Sequence, residues 1–277
     1  MEEKEKKKSS FSNPLINSLL KKTKDVVSDN NNYVTYAGVS KKCAFYLVVA
    51  ILGFVVEMLL NTVLPATITL HNESGTVTTN ATVLIIGIVS TIVFIGISIA
   101  SIFAYKALTV LGFISMACMG FMLGMTGCIM PSLKGAMLLA VVITIALFLA
   151  MLILYNTGFV KITSKFKKVL FVLLAGSVIF TLFLLICALI PSLRIISDTF
   201  TKNPVVGIIG ALIGLVIATL FLLSDFDTIH NAVGNQLPKE YEWLCAYSLA
   251  FSILWVFLKV FQLIARIKGS GGGSRSF

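Results

Sequence analysis

Four ionisable side chains lie inside or at the edge of long apolar runs: Glu57, Asp225, Asp227 and Lys259. Lys259 sits in WLCAYSLAFSILWVFLKVFQLIA, residues 243–265, a stretch with no other charge. A lysine at bilayer depth costs at least ~2.5 kcal/mol, so it must snorkel, lose its proton or meet a carboxylate. Glu57 lies about fourteen residues into the first run and Lys259 about sixteen into the last. If the two runs cross in the same direction, both reach nearly the same depth, and an ion pair is allowed. Asp225 and Asp227 close the sixth run in FLLSDFDTIH, residues 221–230. They stand ~200° apart on a helical wheel, so one can point inward while the other meets water. They read either as span-ending polar residues or as part of a titrating latch or cation site, because burial and a second carboxylate both act on a proton's affinity.

Catalytic chemistry finds no support. The two histidines, His71 and His230, fall in expected loops, and no HExxH, serine triad or glycine-rich phosphate loop occurs. The expectation is therefore no enzyme, no cofactor and no metal site. The five cysteines, Cys43, Cys118, Cys128, Cys187 and Cys245, lie within or beside the runs without metal-ligand spacing, and they read as packing residues. GFMLG at 120–124 and GIIGALIG at 207–214 are small-residue spacings that let helices approach closely. Two Asn-x-Ser/Thr sequons, at Asn72 and Asn80, matter only in a host that glycosylates secreted chains.

The elements that must position these residues are membrane helices. Of 277 residues, 57% are hydrophobic and 12% charged, and the mean hydropathy is +0.98. Apolar runs long enough to cross a bilayer recur, and they lack the alternation of barrel strands. The fold class is an all-α integral membrane protein, a bundle of seven transmembrane helices. The expected spans are 43–64, 82–105, 108–130, 135–156, 168–190, 204–224 and 243–265. Residues 1–42 form a basic, cytoplasmic N-terminal arm, in which 14–27 are weakly amphipathic. Residues 43–268 form the membrane domain, and 269–277 a flexible Gly/Ser tail. MEEKEKKKSS does not read as a signal peptide.

With the N-terminus inside, fifteen basic residues fall in inside segments and six in outside ones, so the arm is placed in the cytoplasm. Lys106 and Lys239 belong to the inside set. The net charge of +10 follows from this topology. The lysines are split among loops without aromatic interleaving, which speaks against nucleic acid and for the lipid bilayer as partner.

SDFDTI, then PKEYEWLCAYSLAFSILWVFLKVFQLIARI, resembles the end of the Bax inhibitor family in its bacterial YccA-like branch. SNP at 12–14, TYAGVSKK at 35–42 and the G-x-x-x-G of the third span resemble the same branch. The resemblance implies a seven-helix bundle with the last helix near the centre. It also implies a pH-sensitive calcium leak, with calcium as permeant ion, in the bacterial plasma membrane or, alternatively, the eukaryotic ER membrane. In that picture an aspartate ending span 6 shares a proton with an acid in span 7, and a basic residue near the end of span 2 assists. The span 6 aspartate matches Asp225, with Asp227 just after it. The span 7 position matches Lys259, a reversal of charge, and Lys106 is the approximate span 2 counterpart. Motif correspondence thus pairs Lys259 with Asp225. Residue counting pairs it with Glu57, because Asp225 lies ~24 Å of helix away.

Other classes fit less well. A non-conducting regulator that binds a membrane protease or quality-control partner through the basic arm is the alternative. A retinal protein would use a lysine in span 7, but the orientation and the lack of a carboxylate in span 3 oppose it. A secondary transporter would show an inverted repeat, and none is visible.

Overall fold

The computed structural model describes residues 33–65, 67–72, 75–103, 107–129, 134–158 and 162–271. The amphipathic stretch 14–27, Lys106 and the last residues of the Gly/Ser tail lie outside the described residues. Among the described residues, seven helices are long and apolar enough to span a membrane: α1 (Tyr36–Val63), α2 (Ala81–Phe103), α3 (Leu108–Ile129), α4 (Lys134–Asn156), α5 (Ser164–Leu189), α7 (Pro204–Gly234) and α8 (Tyr241–Gly271). Between α5 and α7 lies the short α6 (Arg194–Lys202), and between α1 and α2 an antiparallel hairpin, β1 (Ile68–Asn72) and β2 (Gly75–Thr79). The expected 65–81 loop is therefore partly a hairpin that contains His71.

Helix ends differ from the hydropathy limits where side chains supply hydrogen bonds. α1 begins at Tyr36, ahead of the expected 43, because the Thr35 hydroxyl caps it by accepting from the Gly38 N–H at 3.0 Å. α7 continues past 224 to Gly234. His230 is thus helical rather than in a loop. The added turns are polar but held: Thr228 Oγ1 bonds the Ser224 carbonyl at 2.9 Å and Asn231 Nδ2 the Asp227 carbonyl at 2.7 Å. The chain then reverses through Gln236, whose φ of 51° is left-handed. α8 runs through Gly271, so the first residues of the expected flexible tail are helical. Asn80 starts α2: its Oδ1 accepts from the Thr82 N–H at 2.7 Å, while its Nδ2 donates to the Pro65 carbonyl at 2.6 Å.

The last helix is central. Half of the spanning part of α8 is buried, the highest share of the seven, and α8 packs on α1, α3, α4 and α7. Tyr46 of α1, Phe113 of α3, and Trp243 and Tyr247 of α8 form an aromatic cluster with ring centroids 5.0–5.8 Å apart. Ser115 and Tyr247 share a buried hydrogen bond of 2.8 Å.

α1 and α3 meet backbone to backbone. A Cβ at Gly120 would collide with the Ala50 carbonyl, and one at Gly53 with the Ala117 carbonyl. The G-x-x-x-G of residues 120–124 is thus a packing surface, as its spacing suggests.

The motif at 35–42 fastens α1 to α8. The Thr35 N–H and hydroxyl each donate to Glu242 Oε1 at 3.0 Å, and Lys42 Nζ pairs with Glu242 Oε2 at 2.6 Å. Lys42 also stands 4.8 Å above the Trp243 ring. Glu242 is 1% exposed, and Gly38 leaves room for its carboxylate, which a Cβ there would strike. The Val34 N–H completes the junction by donating to the Leu237 carbonyl at 2.8 Å.

Removing one partner of a buried ion pair strands the other charge, at a cost of about 3–5 kcal/mol. Lys42→Met should therefore lower the thermal unfolding midpoint in detergent more than the double variant Lys42→Met/Glu242→Gln does. Gly120→Val should destabilise by about 2 kcal/mol or more. Gly176→Val, at a glycine with open space around its Cβ position, should leave the same midpoint nearly unchanged.

Candidate functional site

The polar residues of the bundle gather where α7 ends and α8 begins. α7 and α8 run antiparallel, and their facing residues keep one register: Asp225 meets Ser248, Gly214 meets Lys259, and Gly207 meets Arg266.

Asp225 is 7% exposed. Its Oδ1 accepts a hydrogen bond from the Ser248 hydroxyl at 2.6 Å. Its Oδ2 accepts no hydrogen bond of ordinary geometry, although buried Ser252, one turn further along α8, lies beside the carboxylate.

Asp227 faces away, toward α5. Lys167 Nζ pairs with its Oδ2 at 2.6 Å, and Asn231 Nδ2 donates to the same oxygen at 3.0 Å. The two carboxylates thus occupy opposite helix faces, as their spacing demands. The second meets a lysine rather than open water. One turn on, His230 Nδ1 and the Tyr36 hydroxyl share a 2.7 Å hydrogen bond, with the Tyr155 ring 6.1 Å from the imidazole.

Lys259 pairs with neither expected carboxylate. It lies eleven residues beyond Ser248 on α8, about 16 Å along the axis from the Asp225 level. Its stem crosses Gly214 of α7, where a Cβ would stand 3.2 Å from Lys259 Cδ, and its Nζ donates to Gln262 Oε1 at 3.3 Å. The pairing of Lys259 with Asp225 that the motif correspondence gives is therefore corrected by the helix register. Glu57 is no partner either. It is fully buried between α1 and α3, where a Cβ at Gly124 would lie 2.7 Å from its Oε2. Helical side chains usually lean toward the N-terminus. Lys259 reaches the other way, one turn toward the C-terminal end of α8, where Gln262 meets it.

The glycines at 207 and 214 do not bring backbones together as 120 and 124 do. They make room for cationic stems: a Cβ at Gly207 would stand 2.9 Å from an Arg266 guanidinium nitrogen. Gly210 between them has open space.

Sequence reasoning did not single out Ser248, Lys167, Glu242 or Lys42. Lys167 and Lys42 entered only as topological charge. A usable signal existed for Glu242 and Lys42, because both fall in the two segments with the most specific motifs, 35–42 and the start of span 7. Among the described residues, no group of three or more His, Cys, Asp or Glu side chains is arranged to hold a metal ion.

Comparison with the curated proteins and with the solved structures returned no match. A family model described as Bax inhibitor 1 like matches residues 3–269, nearly the whole chain and all seven spans. The chain belongs to the Bax inhibitor 1 like family of multi-pass membrane proteins.

Proposed function

We propose that the protein is a pH-responsive cation leak, with calcium as permeant ion and a gate centred on Asp225. The observation that carries this reading is a buried carboxylate on the α7–α8 seam with one oxygen latched by Ser248 and the other without a hydrogen bond. A buried oxygen left so is costly, and a proton or a passing cation would satisfy it. The latch differs from a pair of carboxylates sharing a proton. α8 presents hydroxyls, Ser248 and Ser252, to Asp225, and Lys167 on α5 holds the neighbouring Asp227. The seam opens when α7 and α8 part at Ser248, and the charge on Asp225 decides how firmly they hold. Lys259 takes no part in this latch.

The membrane proposed is the bacterial plasma membrane, with the N-terminus cytoplasmic. The Asp225 end of the bundle then faces the cytoplasm, together with Lys165, Lys167 and Lys168 at the start of α5.

Calcium entry into proteoliposomes, followed with a trapped indicator from pH 5 to 8, tests the reading. The wild-type chain should conduct, with a rate that varies with pH. Asp225→Asn should flatten the pH profile. Ser248→Ala should raise flux at neutral pH by about tenfold, the equivalent of one hydrogen bond to a charged group. Wild-type vesicles that leak no faster than empty ones would remove conduction altogether. An Asp225→Asn variant with an unchanged profile would remove the gate.

A further inference from the structure

Lys259 stands near mid-bilayer with no acid beside it. It faces Gly214, the middle of the apolar stretch 204–223 of α7, whose ~30 Å length matches the hydrocarbon core. Among the described residues it makes no ion pair, and the bond to Gln262 is its one hydrogen bond. The position is open on one side. Gln262 is exposed, and Leu212, Ile213 and Val216 beside Gly214 are each at least 50% exposed. Gly210 and Gly214 form a second G-x-x-x-G on α7, and around Gly210 nothing fills the space a Cβ would take.

An intramembrane cation beside a small-residue ridge that is open at Gly210 calls for a carboxylate delivered by a closely packed helix. We infer that the Gly210–Gly214 ridge and Lys259 form a docking site for a single transmembrane helix of another protein, carrying Asp or Glu near its midpoint. A second copy of this chain does not fit. The acids in its spans are Glu57, Asp225, Asp227 and Glu242. Glu57, Asp225 and Glu242 are at most 7% exposed, and Asp227 is tied to Lys167. A lipid phosphate does not fit either, since headgroups lie about 15 Å above mid-bilayer. The site is separate from the Asp225 gate and does not depend on conduction.

The probe is a synthetic Leu/Ala helix of about 23 residues with one central Glu, and its Gln twin as control. Each is co-reconstituted with the full-length protein labelled at an introduced cysteine, and association is read by energy transfer. The Glu peptide should associate about tenfold more strongly than the Gln peptide. Lys259→Met should abolish that difference. Gly210→Ile, placed where there is room for the side chain, should weaken association of the Glu peptide while leaving the thermal midpoint unchanged. Equal association of the two peptides, a Glu preference that survives Lys259→Met, or full association with Gly210→Ile would each overturn the proposal.

Discussion

A polar group on the inward face of α8 cannot turn to water, because α1, α3, α4 and α7 pack against that face. Each such group has to be met by a neighbour, since an unmet amide or hydroxyl in an apolar medium costs about 2–7 kcal/mol. The register of the bundle follows from these meetings. Glu242 requires Thr35 and Lys42, which fixes where α1 starts. Tyr247 meets Ser115 on α3, and Ser248 meets Asp225 on α7. A shift of α8 by one turn would break all of these contacts together.

Hydropathy made the seven spans legible, since each is a continuous apolar run. It was blind to the polar turns that extend them. Tyr36–Lys42 and Asp225–Gly234 fold as helix because side chains from other spans answer their polar groups. That is tertiary information, and a window average cannot carry it. The same limit explains Lys259. Its type and depth were readable, but its counterpart was not, because antiparallel register depends on how α7 and α8 slide against each other. Once Ser248 meets Asp225, Lys259 must lie opposite Gly214.

The two small-residue motifs separate for a similar reason. Gly120 lies over the backbone of α1, where any side chain would push the helices apart. Gly207 and Gly214 lie under Arg266 and Lys259, where the missing side chain is a channel for a long stem. The spacing is alike, but the partner residue sets the use. A glycine opposite alanine closes a gap between helices, and one opposite lysine or arginine lets a charge lie along the apolar wall of its neighbour.

The cap of α2 has a consequence for covalent modification. Asn80 and Thr82 satisfy the pattern that directs an N-linked glycan to an asparagine. In the folded protein the Asn80 side chain is 6% exposed, with its amide committed to the Pro65 carbonyl and its oxygen to the Thr82 N–H. A sugar attached there would have no space and would displace the group that starts the helix. The two residues that would mark an attachment site instead serve to begin α2, so a secretory pathway that decorated Asn80 would do so at the expense of this fold.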